Sequence, residues 1–224
     1  MKSPLKKIKN QPDLILALFL AVVWNQSVYY GARWITGSWK HYDMTASFDS
    51  LVPFVPWTIV IYFGCYLFWA VNYFLCALQP AEERDRFFCA DLLAKGICLF
   101  LFLVIPTTNV RPEIFGETIW DNLVKMLYRI DAADNLFPSI HCLVSWFCWI
   151  GVRKRKEIPC IYRYFSLIAA VAVCISTLTT RQHVIYDVVG GILIAEGCYF
   201  LSGFLRVRRL YSFILSALSK PFKK

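Results

Sequence analysis

The chain lacks most of the features that mark soluble, secreted and metal-stapled folds. None of its nine cysteines stands in a C-x-x-C pair, and most lie inside apolar runs. That spacing indicates neither a zinc knuckle nor a disulfide framework, and the cysteines read as small buried hydrophobes. Acidic residues are scarce, 15 Asp and Glu against 24 Lys and Arg, yet no nucleic-acid-binding motif accompanies the basic surplus. No internal repeat or low-complexity tract occurs. The apolar run behind the N-terminal lysines is too long for a signal-peptide core and has no small-residue cleavage site, so it reads as a retained first span. Histidine is rare: His41, His141 and His183 are the only three.

What is present is apolar. The 224 residues are 58% hydrophobic with a net charge of +9, more apolar surface than a soluble domain of this size can hide. The alternative is several membrane spans of about 20 residues each. Six apolar segments can be marked: about 14–30, 54–78, 92–105 with Lys95 near its start, 138–152, 164–178 and 183–205. The third and fourth are short for a span. Six spans put both termini on one side of the membrane. Of the 24 basic residues, 17 fall on that side and six on the other, with Lys95 inside a span. An excess of Lys and Arg marks the cytoplasmic face, so both termini are expected there. The reading is one all-α integral membrane domain over 1–224, with six transmembrane helices. A basic, mildly amphipathic tail (206–224) would lie along the cytoplasmic interface.

This layout sends the long loop 109–137, "FPSIH" (137–141) and "TTRQH" (179–183) to the outer, extracytoplasmic face. Their polar residues then need explaining together. In "FPSIH", Pro138 and Ser139 open a helix, where free backbone N–H groups and the positive end of the dipole favour an anion. His141 sits beside that site. In "RQHVIYD", a spacing of four places His183 and Asp187 on one helix face. The carboxylate can accept from one ring nitrogen and leave the other free to attack or take a proton. Arg181 at the mouth and Arg111 in "NVRPEIF" can hold phosphate oxygens with their forked donors.

"FPSIH" followed some forty residues later by H-x-x-x-D resembles the type 2 phosphatidic acid phosphatase superfamily, whose pattern is K-x6-R-P, then P-S-G-H, then S-R-x5-H-x3-D. The resemblance covers roughly residues 90–200. Ser176 holds the serine of the third motif, and Arg111-Pro112 keeps the R-P. Thr177 stands in place of its arginine, Val104 in place of the lysine and Ile140 in place of the glycine. The Gln-His pair behind a basic residue, and the segment "DNLFPSIH", are similar to the branch of inositol phosphorylceramide and sphingomyelin synthases. The resemblance implies metal-independent chemistry with no cofactor: His183 attacks phosphorus, Asp187 orients it, and His141 protonates the leaving oxygen. Ser139, Arg181 and Arg111 would hold the phosphoryl oxygens. The implied substrate is a phosphorylated lipid or isoprenoid, and hydrolysis and head-group transfer both stay open. The protein would be a multi-pass protein of a bacterial cytoplasmic membrane, partnered by lipid and not by nucleic acid.

Plainer readings stand beside these. His183 and Asp187 can be a polar pair bridging spans, and with His141 they can also form a metal-ligand set. Arg111 can pair with Glu113 or lipid phosphate, and Ser139 can be only a helix cap. His41 reads as a loop residue, Asp131 and Asp134 as solvated loop charges, and "DSLVPFVPW" (49–57) as an interfacial lead into the second span. A non-catalytic lipid-binding or transport protein on the same fold is the remaining class.

Overall fold

The structure, a computed structural model, describes residues 12–222. Lys2, Lys6, Lys7, Lys9, Lys223 and Lys224, which carry part of the expected cytoplasmic charge, lie outside the described residues. Among the described residues eight α-helices follow one another: α1 (Pro12–Thr36), α2 (Ile59–Ala77), α3 (Ala81–Val104), α4 (Ile119–Ile130), α5 (Ile140–Arg153), α6 (Cys160–Thr179), α7 (Ile185–Leu201) and α8 (Leu205–Ser219). Among the described residues the β-structure is a two-residue parallel bridge, Tyr42–Asp43 with Thr107–Thr108. The protein is all-α.

Local chemistry sets the helix ends. Glu82 and Glu83 occupy the first turn of α3, behind Pro80, where negative charge favours the exposed N–H groups. Thr118 and Asp121 form a reciprocal box at the start of α4. The threonine hydroxyl accepts from the Asp121 N–H at 3.2 Å, and the carboxylate accepts from the Thr118 N–H at 3.0 Å. Gly37 follows α1 because a β-carbon there would fall 2.8 Å from the Arg33 carbonyl oxygen.

Helices α1, α2, α3 and α6 are long and apolar enough to cross a membrane, and α7 with the segment bent 86° from it gives a fifth candidate. Large apolar side chains on these helices face outward, among them Phe19, Leu67, Phe100, Ile168 and Leu193. Such outward apolar faces suit lipid. The six apolar segments read from the sequence correspond to α1, α2, α3, α5, α6 and α7, but the fourth falls short of span length. Helix α5 has 14 residues, about 21 Å at 1.5 Å per residue. It is the central helix: ten of its 14 residues are buried and none is exposed, and it packs against α2, α3, α6 and α7. An enclosed helix meets protein on every side and need not match the bilayer.

The third segment differs the other way. Its helix begins at Ala81, eleven residues before the apolar run, because the charges of "EERDR" are matched: Arg84 pairs with Asp85 at 2.9 Å and Glu82 with Arg208 of α8 at 2.7 Å. The amphipathic tail forms α8, packed on α1 and α3. Helix α4 was not anticipated inside the 109–137 loop. It buries Val124 and Leu127 against Ile59 and Tyr62 of α2.

The main core joins α1, α3 and α5 through Phe87, Phe102, Leu143, Phe147 and small residues such as Ala17, Ala90 and Ala94. Small residues let helices approach closely where hydrophobic pressure is absent. Two glycines do this where α7 meets α5. A β-carbon on Gly190 would lie 2.5 Å from the Phe137 ring, and one on Gly191 would lie 2.7 Å from the Ser139 carbonyl oxygen. Their absence of a side chain lets α7 press onto the start of α5.

Candidate functional site

The turn between α6 and α7 is built from "TRQHV". Arg181 adopts φ +56°, the left-handed region that a non-glycine residue enters only when held there. The N–H groups of Gln182 and His183 both donate to the Thr177 carbonyl, at 3.0 and 3.1 Å. This tight reversal delivers His183 one turn before Asp187, which sits fully buried in the first turn of α7. One Asp187 oxygen accepts from the Val184 N–H at 3.0 Å and faces His183 Nδ1 at 3.1 Å. With Nδ1 occupied, Nε2 is the ring nitrogen available to the cavity that His183 lines.

Across that cavity stands His141, with ring centroids 6.0 Å apart. Its ring stacks on Tyr62 at 4.5 Å, lies 5.4 Å from Trp69, and has its Nε2 3.4 Å from the Tyr66 hydroxyl. An aromatic box of this kind fixes the imidazole plane and excludes bulk water. The cavity measures about 340 Å³, and both histidines, Gln182, Asp131 and Asp134 line it. Among the described residues no lysine or arginine does so.

The other expected residues take different places. Ser139 is fully buried and caps α5: its Oγ accepts from the Cys142 N–H at 3.2 Å, and its own N–H donates to the Asp187 carbonyl at 3.0 Å. It does not line the cavity. The Arg181 guanidinium also points elsewhere, donating to the carbonyls of Asp49 and Val52 at 2.7 and 2.5 Å. Asp49 adds a carboxylate oxygen that accepts from the Ile185 N–H at 2.9 Å. "DSLVPFVPW" is therefore the strap that locks the catalytic-looking turn, with Val55 N–H donating to the Thr179 carbonyl at 2.9 Å. Arg181→Ala is expected to destabilise the protein by about 1.5–3 kcal/mol, the scale of hydrogen bonds from a charged donor. In the folded fraction it should leave orthovanadate affinity unchanged, read by titration calorimetry; a tenfold loss would make Arg181 an oxyanion ligand instead.

Arg111 reaches the site through a neighbour. It donates to the Asp131 carbonyl at 2.5 Å and to Gln182 Oε1 at 2.7 Å, and its guanidinium covers the Tyr128 ring at 4.7 Å. Its partner is thus Gln182, not Glu113. With the Gln182 oxygen taken by a group that can only donate, the amide nitrogen must face the other way, and this Nε2 is buried with no partner. Asp187 Oδ1 is likewise buried and unpaired.

Asp131 and Asp134 correct the reading as solvated loop charges. Asp131 accepts from the Tyr29 hydroxyl and, at 3.4 Å, from Tyr62; Asp134 pairs with Arg33 at 3.0 Å. Desolvation raises the Asp134 pKa, against the pull of Arg33. The "DNLFPSIH" segment carried a signal for Asp134 and the Gln-His pair one for Gln182; Tyr29 and the aromatic box had none, because they converge only in space. His41 bonds the Trp39 carbonyl at 2.9 Å, away from the cavity. Among the described residues, no group of three or more His, Cys, Asp or Glu is arranged to hold a metal ion. Comparison with known proteins yields no matching family model, no matching curated protein and no matching solved structure.

Proposed function

We propose that this protein is a membrane enzyme transferring a phosphoryl group from a phosphorylated lipid or isoprenoid through His183. The family resemblance rests on the quoted residues alone. One observation supports the reading most: His183, its Nδ1 held by buried Asp187, faces His141 across a shared cavity at 6.0 Å. That gap leaves room for one tetrahedral phosphorus between the rings. His183 Nε2 would form a bond to phosphorus as the P–O ester bond breaks, and His141 would give a proton to the departing oxygen. His141 would then take a proton from water or an alcohol, whose oxygen attacks the phosphohistidine and frees His183. The Gln182 amide is placed to donate to a phosphoryl oxygen beside His183, steadied by Arg111.

Head-group transfer has its own support. Asp131 and Asp134 line the cavity, and among the described residues no cation does. Arg33 pairs with Asp134, but Asp131 faces a doubly charged phosphate monoester with no cation in the lining, whereas a phosphodiester carries less charge. Purified protein incubated with phosphatidic acid, isoprenyl phosphates, phosphatidylinositol and phosphatidylglycerol, assayed for free phosphate and new lipids together, separates the two. An acid-labile, alkali-stable phosphate trapped on His183 is expected in either case. Its absence with every donor would point to a non-catalytic lipid-binding protein.

The same reading places the site on the extracytoplasmic face of six spans. A cysteine-labelling scan is expected to find residues 154–156 accessible from the cytoplasm and residue 125 from outside. The reverse pattern would move the site to the cytoplasmic face.

A further inference from the structure

A second cavity, of about 420 Å³, opens sideways between α1 and α2. Four residues line both it and the reaction cavity: Asn25, Gln26, Tyr66 and Trp69. From that polar junction the groove runs down α1 as far as Leu18 and down α2 as far as Phe74. Each descent covers eight residues, about 12 Å at 1.5 Å per residue. Its walls are apolar below the junction. They open to the bilayer side, where Val22 on α1 is 63% exposed and Ala70 on α2 is exposed. Lys95 of α3 reaches the floor with its charge already matched by Asp91 at 2.8 Å, so it does not repel an apolar occupant.

We infer that this groove holds one hydrocarbon chain of the lipid whose phosphorylated head occupies the reaction cavity, an inference that rests on the phosphoryl-transfer reading. The polar-to-apolar order along both walls matches a lipid with its head beside the histidines and its chain below. A polar ligand would leave the apolar walls unmatched. The chain enters laterally, without leaving the bilayer.

The probe is a phosphatidic acid with a photoactivatable diazirine midway along one acyl chain, in phosphatidylglycerol vesicles holding the full protein. Cross-links are expected on residues 18–26 and 66–74, about tenfold above the lipid-facing positions Ile168 and Leu193. Val22→Trp and Ala70→Trp fill the groove from opposite walls at exposed positions, so folding is preserved. Each is expected to cut groove labelling about tenfold, the scale of overpacking a fitted site. Even labelling around the bundle, or unchanged labelling in both variants, overturns the groove. Turnover is read separately. Dispersed labelling with an active wild type overturns the groove alone; groove-confined labelling with an inactive wild type overturns the phosphoryl reading alone.

Discussion

His183→Ala in the purified protein is expected to cut phosphoryl transfer by on the order of 10⁴-fold or more, the cost of removing a covalent nucleophile, with the helical content unchanged by circular dichroism. A loss under tenfold would remove His183 from the reaction. The pH profile gives a second, independent reading. Burial pushes the His183 pKa down, but the Asp187 hydrogen bond and charge outweigh it, so the imidazole titrates above its usual 6.5. Attack requires the neutral ring. The acid limb of the rate profile is therefore expected at that elevated value, with an alkaline fall where His141 loses the proton it gives to the leaving oxygen, and Asp187→Asn is expected to move the acid limb to lower pH. Stability runs in the opposite direction. A raised folded-state pKa means that the pair stabilises fully below the unfolded value of about 6.5 and loses this as pH rises through the folded value. Thermal melts should show the wild-type advantage over Asp187→Asn shrinking across that window. An acid limb unmoved by Asp187→Asn would mean that another group controls the rate.

Lys95→Met is expected to cost about 3–5 kcal/mol, the penalty for stranding one partner of a buried ion pair. Lys95 and Asp91 are 2% and 1% exposed at their side chains and meet at 2.8 Å inside α3. Asp91 also accepts from the Tyr73 hydroxyl at 2.5 Å, which ties α3 to α2. The double variant Asp91→Asn/Lys95→Met removes both charges and keeps an acceptor for Tyr73. It should recover most of the loss, because the uncompensated charge and not the missing attraction dominates. Denaturation in detergent, followed by near-ultraviolet circular dichroism, measures both. Additive losses in the double variant would show that the pair contributes chiefly through its own attraction.

Hydrophobic run length and the 3.6-residue spacing were readable from sequence because both are properties of neighbours in the chain. They located six apolar helices and the pairing of His183 with Asp187, and offered the cap at Ser139 as the plainer alternative to a phosphate contact. They were weakest where charge is matched by distant partners, as in the first turns of α3, and where a helix is enclosed by others, as α5 is. Arg181 shows the limit most clearly. Its position beside His183 predicts an oxyanion ligand, but its fork is occupied by two carbonyls of a strap 129 or more residues away in the chain.

What the sequence by itself determined was an apolar, all-helical chain with two histidine motifs about forty residues apart. Only the tertiary structure decided that His141 and His183 face one cavity, that Gln182, Asp131 and aromatic rings complete its walls, and that an apolar groove leads from it. The reason is physical. A spacing of four along one helix is set by backbone geometry, whereas the meeting of α5 and α7 depends on how closely two surfaces can pack. Gly190 and Gly191 permit that approach, and no local pattern states what they will touch.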